Sequence, residues 1–177
     1  MRNLQAILAG FGGQGVLFAG KIMAYAALIE DREVSWLPSY GPEMRGGTAN
    51  CSVCISDDSI GSPLVLQPNA LIAMNQPSLE KFEQSVLPGG LIVADSTLIT
   101  NISDIPEVVT HAIPATALAE DNGLKGLANV ILVGKLWVET QFCEEQTLKD
   151  AVAKCVPAKK AALLPKNLEA LTLGISA

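Results

Sequence analysis

A glycine-rich segment, residues 10–15, separates an apolar run at residues 4–9 from a helix-like run at residues 16–29. The segment consists of Gly10, Phe11, Gly12, Gly13, Gln14 and Gly15. Its first, third and sixth positions have the G-x-G-x-x-G spacing of a strand-to-helix turn that approaches phosphate groups. Glycine suits such a turn because the backbone needs positive φ, and the amides that begin the helix attract an anion. The segment therefore indicates either a ligand-phosphate site or a tightly packed corner between a strand and a helix.

The carboxylate that a dinucleotide site requires is missing from its expected place. In such a site an acidic residue follows the glycines by about 20 residues and lies near the end of the second strand. Here the second strand is predicted at residues 33–37 and is followed by Pro38, whereas Glu30 and Asp31 precede it. This arrangement disfavours an NAD-dependent enzyme.

Apolar runs alternate with helical patterns along much of the chain. Strands are predicted at residues 4–9, 33–37, 48–56, 70–74, 91–95 and 108–113. Helices are predicted at residues 16–29, 77–87 (with Ser78 as N-cap), 115–119, 127–140, 144–155 and 163–173. Alternating strands and helices are typical of a mostly parallel sheet. We expect residues 1–177 to form a single α/β, Rossmann-like domain with helices on both faces of the sheet and a helical C-terminal region.

Composition narrows the partners that the chain could have. Charged residues make up 17% of the chain, below the roughly 25% of typical soluble domains. Two explanations of this low charged fraction are open: another protein covers part of the surface, or the chain has an alanine-rich α/β core. The net charge is −6 and no Lys/Arg cluster exceeds the pair Lys159-Lys160, which disfavours nucleic acid as a partner.

Membrane insertion and secretion are also disfavoured by the sequence. The apolar stretch at residues 127–138 is interrupted by Asn129 and Lys135 and is too short to span a bilayer. Residues 1–9 lead directly into the glycine segment without a cleavage-like sequence, so we expect a cytoplasmic protein.

The four cysteines do not have the spacing of a metal site. Cys51 and Cys54 form a C-x-x-C pair inside a predicted strand, where residues three apart point to opposite faces. Cys143 and Cys155 lack a partner pair at zinc or iron–sulfur spacing. We therefore expect buried or incidental thiols in a reducing compartment and no metal.

No catalytic set can be assembled from the remaining residues. His111 is the single histidine and falls in an apolar strand, where a satisfied position is expected rather than a general base. Asp95 ends a predicted strand, so it could either face a ligand or cap a helix or turn.

A second motif spans residues 39–50, where glycines border a lone arginine. A loop that leaves the second strand should lie near the glycine segment, because both are at the carboxyl ends of strands. Arg45 could then bind a phosphate or carboxylate, with Gly46 and Gly47 allowing close backbone approach. The alternative is that Arg45 pairs with Glu43 or with an acidic residue of a partner.

Together these two motifs resemble the gamma subunit of 2-oxoacid:ferredoxin oxidoreductases. Ser56-Asp57-Asp58, the turn at residues 60–63, the strand at residues 70–74 and Pro88-Gly89-Gly90 follow in the order found in that family. The resemblance covers roughly residues 4–140. It is supported by the absence of a catalytic set and by the charge-poor composition.

The resemblance implies a noncatalytic subunit of an assembly that converts a 2-oxoacid and coenzyme A to acyl-CoA and CO2 and reduces ferredoxin. It places thiamine diphosphate between alpha and beta subunits and iron–sulfur clusters in beta or delta subunits, and it implies a branched-chain 2-oxoacid, 2-oxoglutarate or pyruvate as substrate. It also implies that Gly10, Gly12 to Gly15 and Arg45 to Gly47 line or cover the coenzyme A site. The alternatives are a free-standing nucleotide-phosphate-binding module and a purely structural interface subunit.

Overall fold

The computed structural model describes residues 3–40 and 48–177. Its strands are β1 (Leu4–Phe11), β2 (Glu33–Tyr40), β3 (Thr48–Ser56), β4 (Ala70–Ala73), β5 (Leu91–Asp95) and β6 (Val109–Ile113). Its α-helices are α1 (Val16–Ile29), α2 (Gln76–Phe82), α3 (Ala115–Asp121), α4 (Ala128–Thr140), α5 (Glu145–Cys155) and α6 (Leu164–Ser176). Short 3-10 turns follow α2 at Glu83–Ser85 and precede α6 at Ala158–Leu163.

The six strands form one mixed sheet in the order β2-β3-β1-β4-β5-β6. β1, β4, β5 and β6 are paired in parallel, whereas β3 is antiparallel to both β1 and β2. β2 therefore runs in the same direction as β1, and β3 is the one strand that runs the other way. The predicted α/β fold with a mostly parallel sheet is confirmed.

Helices pack on both faces of the sheet. Leu4, Ala6 and Leu8 of β1 belong to the larger core cluster, which also contains buried residues of α1, α4, α5 and α6. Ile7 and Ala9 point to the opposite face and belong to a smaller cluster with Leu79 of α2. Because both faces are covered along its centre, β1 is almost continuously apolar rather than alternating.

Helix α2 differs from the prediction at its start and at its end. Its N-cap is Asn75, whose side chain accepts a hydrogen bond from the backbone N–H of Ser78 at 3.0 Å, so the prediction of Ser78 as N-cap is wrong. The N-cap must have non-helical backbone angles, and Asn75 is extended with φ of −162° whereas Ser78 lies inside the first turn. The α-helix ends at Phe82 and tightens into the 3-10 turn instead of continuing to residue 87.

The helical C-terminal region packs on the larger-cluster face through close contact of two helix backbones. A Cβ added to Gly134 of α4 would lie 2.6 Å from the carbonyl oxygen of Leu171 in α6. A Cβ on Gly174 of α6 would collide with the carbonyl oxygen of Ile131 in α4. Glycine at these two positions allows α6 to cover α4. In the described part of the chain, no helix has the length and hydropathy needed to span a bilayer.

We predict that Gly174→Ala lowers the free energy of unfolding by about 1–3 kcal/mol, because overpacking two backbones forces α6 away from α4. Urea unfolding followed by circular dichroism measures this change. Gly61→Ala is the matched control, since a Cβ at Gly61 meets no atom within 4 Å. It should change stability by less than about 0.5 kcal/mol. Equal stability of the two variants would contradict the close packing of α4 and α6.

Candidate ligand site at the glycine turn

The turn between β1 and α1 needs glycine for two different physical reasons. Gly13 and Gly15 have φ of 103° and 75°, in the left-handed region that disfavours other residues. Gly10 lies within β1, where an added Cβ would be 2.8 Å from Oε1 of Gln14 and 3.0 Å from Cβ of Met74. Gly13 and Gly15 therefore provide the backbone reversal, and Gly10 allows β1 to pack closely on its neighbours.

Gln14 holds this turn in place with its side chain. Its Oε1 accepts hydrogen bonds from the backbone N–H of Phe11 at 2.7 Å and from Nδ2 of Asn75 at 2.8 Å. Its Nε2 donates to the carbonyl oxygen of Met74 at 3.0 Å. One amide thus joins the end of β1, the end of β4 and the N-cap of α2. These bonds are internal to the chain, and direct contact of Gln14 with a ligand stays a prediction.

Asn129 supports the turn from the larger-cluster face of the sheet. Its Nδ2 donates to the carbonyl oxygen of Gly15 at 3.0 Å, and its side chain fills the space that a Cβ on Gly15 would need. Asn129 is buried in the first turn of α4. The sequence analysis treated this asparagine only as an interruption of an apolar stretch. A polar residue inside an otherwise apolar helix was the signal that could have marked it.

A cleft of about 250 Å³ opens beside the turn, at the carboxyl ends of β1, β4 and β5. In open α/β sheets this edge is where ligands bind. Its lining is contributed by the turn, by the segments after β4 and β5, by α3 and by the start of α4. The lining residues are Gly13, Gln14, Met74, Asp95, Leu98, Thr116, Glu120, Lys125, Gly126, Ala128 and Leu132.

Asp95 forms part of the cleft wall, but its carboxylate accepts hydrogen bonds from backbone and hydroxyl groups of the chain itself. Its Oδ1 accepts from the N–H of Thr97 at 3.1 Å and of Thr116 at 3.2 Å, and its Oδ2 accepts from Oγ1 of Thr116 at 2.5 Å. The side chain is buried, with 1% of its surface exposed. Of the two alternatives, the capping role is therefore the one that the hydrogen bonds show.

The second motif begins and ends at the same end of the sheet as the glycine turn. Tyr40 of β2 pairs with Ala49 of β3, and Thr48 pairs with Phe11 at the end of β1. The connection between β2 and β3 therefore leaves and returns at the edge of the sheet that carries the cleft. Arg45, Gly46 and Gly47 themselves lie outside the described residues, so their contact with a ligand stays a prediction.

His111 occupies a satisfied position on the edge strand β6. Its Nε2 lies 3.3 Å from Oε2 of Glu139 in α4, and Oε1 of the same carboxylate lies 3.0 Å from Nζ of Lys135. This agrees with the expectation of a structural histidine.

The cysteines are buried thiols, as predicted. Cys51 belongs to the larger core cluster and Cys54 to the smaller one, so the C-x-x-C pair faces opposite sides of the sheet. Burial raises the pKa of Cys51 to about 12, partly offset by a hydrogen bond with Trp36. Burial, with a smaller contribution from the Glu30 carboxylate, raises the pKa of Cys143 to about 12. Within residues 3–40 and 48–177, no three His, Cys, Asp or Glu side chains are grouped to hold a metal ion.

The family model for pyruvate ferredoxin/flavodoxin oxidoreductase matches residues 5–177, almost the whole chain. The chain belongs to this family. A family relative, the ketoisovalerate oxidoreductase subunit VorA of Methanothermobacter thermautotrophicus, is 40% identical over 94% of the chain, and the match covers 35% of that relative. The chain therefore spans about a third of the length of this curated relative.

Two solved structures of the family have the same fold. The gamma subunit of a keto/oxoacid ferredoxin oxidoreductase from Geobacter sulfurreducens is 30% identical, with a TM-score of 0.84 over 98% of this chain and 96% of that one. A 2-oxoglutarate:ferredoxin oxidoreductase from Magnetococcus marinus, with 2-oxoglutarate, coenzyme A and succinyl-CoA bound, is 26% identical, with a TM-score of 0.87 over 99% of this chain and 31% of that one. The domain thus occurs both as a separate subunit and as part of a longer chain.

Gln14→Ala should lower the free energy of unfolding by about 1–3 kcal/mol, because it leaves the Phe11 N–H, the Asn75 amide and the Met74 carbonyl without their partner. Chemical denaturation of the purified chain measures the loss. Gln146→Ala is the control, because the Gln146 amide donates only to Asp150 on the exposed face of α5. Its effect should stay below about 0.5 kcal/mol. A Gln14 variant as stable as the control would show that the amide does not hold the turn.

Cys51 and Cys143 should resist alkylation by iodoacetamide at pH 8 in the folded protein. Raising a thiol pKa from 9.0 to about 12 lowers its thiolate fraction about a thousandfold, and the thiolate is the reactive form. The unfolded thiols ionise at lower pH than the buried ones. The contribution of the buried, protonated thiols to the free energy of unfolding is therefore fully present below pH 9 and is lost as the pH rises towards 12. Mass spectrometry of labelled peptides, with urea-unfolded protein as control, tests the prediction. Rapid labelling of either cysteine in the folded protein would refute it.

Proposed function

We propose that this chain is the gamma subunit of a multi-subunit 2-oxoacid:ferredoxin oxidoreductase. The assembly converts a 2-oxoacid and coenzyme A to acyl-CoA and CO2 and transfers two electrons to ferredoxin. The observation that carries the proposal is the likeness to a separate gamma subunit, which extends over nearly the full length of both chains. The 40% identity to a ketoisovalerate oxidoreductase subunit favours a branched-chain 2-oxoacid, with 2-oxoglutarate and pyruvate as alternatives.

In this assembly the chain lines or covers the coenzyme A site, as a single domain of residues 1–177. The glycine turn supports this role, because it presents the first amides of α1 at the carboxyl edge of the sheet. Lys125 lines the adjoining cleft and supplies a positive charge there, beside the acidic residues Asp95 and Glu120 of the same lining. The phosphates of coenzyme A are anions of the kind that such a helix start attracts, and the Magnetococcus marinus relative binds coenzyme A.

The reaction chemistry is proposed to belong to alpha and beta subunits and, in some assemblies, a delta subunit. Thiamine diphosphate and iron–sulfur clusters in those partners would supply decarboxylation and electron storage. The cysteines of this chain do not fit a cluster, because Cys51 and Cys54 face opposite sides of the sheet and the thiols are buried. We place the assembly in the cytoplasm, in contact with ferredoxin.

The test is an affinity purification of the tagged chain from its host under anaerobic conditions. The recovered material is assayed for reduction of a viologen dye that depends on both a 2-oxoacid and coenzyme A, with a panel of 2-oxoacids. Recovery of partner subunits together with this activity supports the proposal, and the panel identifies the substrate. Recovery of the chain alone, without activity, would favour a free-standing nucleotide-phosphate-binding module and would reject the proposal.

Arg45→Ala should raise the coenzyme A concentration needed for half-maximal activity by about 10- to 100-fold while the subunits stay assembled. Loss of one charge-assisted contact with a phosphate costs roughly 1.5–3 kcal/mol. Steady-state kinetics of the complete complex, with subunit composition checked by gel filtration, measures the change. Lys159→Ala, in the exposed 3-10 turn before α6, is the control and should leave the coenzyme A dependence unchanged. If Arg45→Ala disrupts assembly but not activity per complex, the interface role of Arg45 is correct instead.

A further inference from the structure

Among the described residues, no helix packs closely against β2 and β3 on one face of the sheet. On the face that carries the smaller core cluster, α2 packs against β1 and β4. Beside α2, over β2 and β3, a groove of about 460 Å³ remains open. Ser39, Asn50 and Ser52 of these two strands line it, together with Leu37 and the segment 64–66.

Large apolar side chains border this groove and remain exposed. The exposed fractions are 37% for Leu37, 56% for Leu64 and 72% for Leu66. Leu37 pairs with Ser52 in the sheet, so its side chain shares the face that the groove occupies. A patch of converging leucines beside an uncovered sheet face is typical of a surface that another protein buries.

Of the described residues that line the groove, Lys81 of α2 is the one with a charged side chain. Its Nζ lies 5.1 Å from the centroid of the Phe82 ring, and among the described residues it forms no ion pair. A complementary partner would therefore present apolar side chains to the leucines and a carboxylate to Lys81. A partner of that kind satisfies the lysine without burying an unpaired charge.

In longer relatives this domain is covalently continuous with further protein. The match covers only 35% of the ketoisovalerate relative and 31% of the Magnetococcus marinus chain. Where the longer relatives have an interface between domains of one chain, we expect the separate subunit to have an interface with a second polypeptide.

We propose that the groove over β2 and β3 is the docking surface for the polypeptide that corresponds to the remainder of those longer relatives. The partner inserts apolar side chains against Leu64 and Leu66 and places a carboxylate next to Lys81. This inference rests on the proposed function, because it takes that polypeptide to be a partner subunit of the same oxidoreductase.

The experiment is anaerobic purification of the tagged full-length chain, co-expressed with the candidate partner subunit, in which the ratio of partner to bait is quantified by mass spectrometry. Leu64→Asp should lower this ratio about tenfold or more, since it places a charge in an apolar contact. Lys81→Glu should lower this ratio as well, by repelling the carboxylate of the partner.

Leu28→Asp is the matched control, because Leu28 is equally exposed, at 55%, but lies on α1, on the other face of the sheet. It should retain the partner within about twofold of the unmodified chain.

The outcomes separate this inference from the proposed function. If the unmodified chain recovers no partner, both are rejected. If it recovers the partner and Leu64→Asp and Lys81→Glu recover it equally well, the groove is not the interface although the function stands. Equal losses of the partner for Leu64→Asp and Leu28→Asp would also show that the groove is not the interface. The same conclusion holds if Leu64→Asp disrupts a dimer of this chain but retains the partner. Thermal unfolding of each variant confirms that the bait is folded.

Discussion

The conformation of the turn after β1 is the constraint on which the rest of the site depends. Gly13 and Gly15 have left-handed backbone angles. Glycine by itself would not fix these angles, because it adopts many backbone conformations. Gln14 removes that freedom from one side by bonding to the ends of β1 and β4 and to Asn75. Asn129 removes it from the other side by bonding to Gly15. The amides that begin α1 are therefore oriented before any ligand arrives.

The antiparallel strand β3 explains both the arrangement of the candidate site and the open groove. Because β3 lies between β1 and β2 and is antiparallel to both, β2 ends and β3 begins at the end of the sheet where Phe11 ends β1. The second motif consequently starts and ends at the same end of the sheet as the first. β2 is an edge strand, and among the described residues no helix packs closely on the face of β2 and β3 where Leu37 and Leu64 remain exposed.

Much of the element pattern could be predicted because it depends on short segments. The start and end of α1 follow directly from the glycine turn and the run of helix-forming residues, and the predicted bounds of β3 and β5 match the structure. The opposite orientations of Cys51 and Cys54 follow from the two-residue period of a strand. The error at Ser78 arose where two polar residues both suited an N-cap and only the backbone angles of Asn75 decided between them.

The sequence by itself determined the α/β class, the approximate positions of the elements, the family resemblance and the left-handed turn, because each depends on local backbone preference or on a contiguous motif. Only the tertiary structure decided that β3 separates β1 from β2, that Asn129 supports Gly15 from 114 residues away, and that Lys125 and Thr116 share a cleft with Gly13. These facts depend on which surfaces pack together over long sequence separations. No local pattern of hydrophobicity or residue spacing encodes that choice.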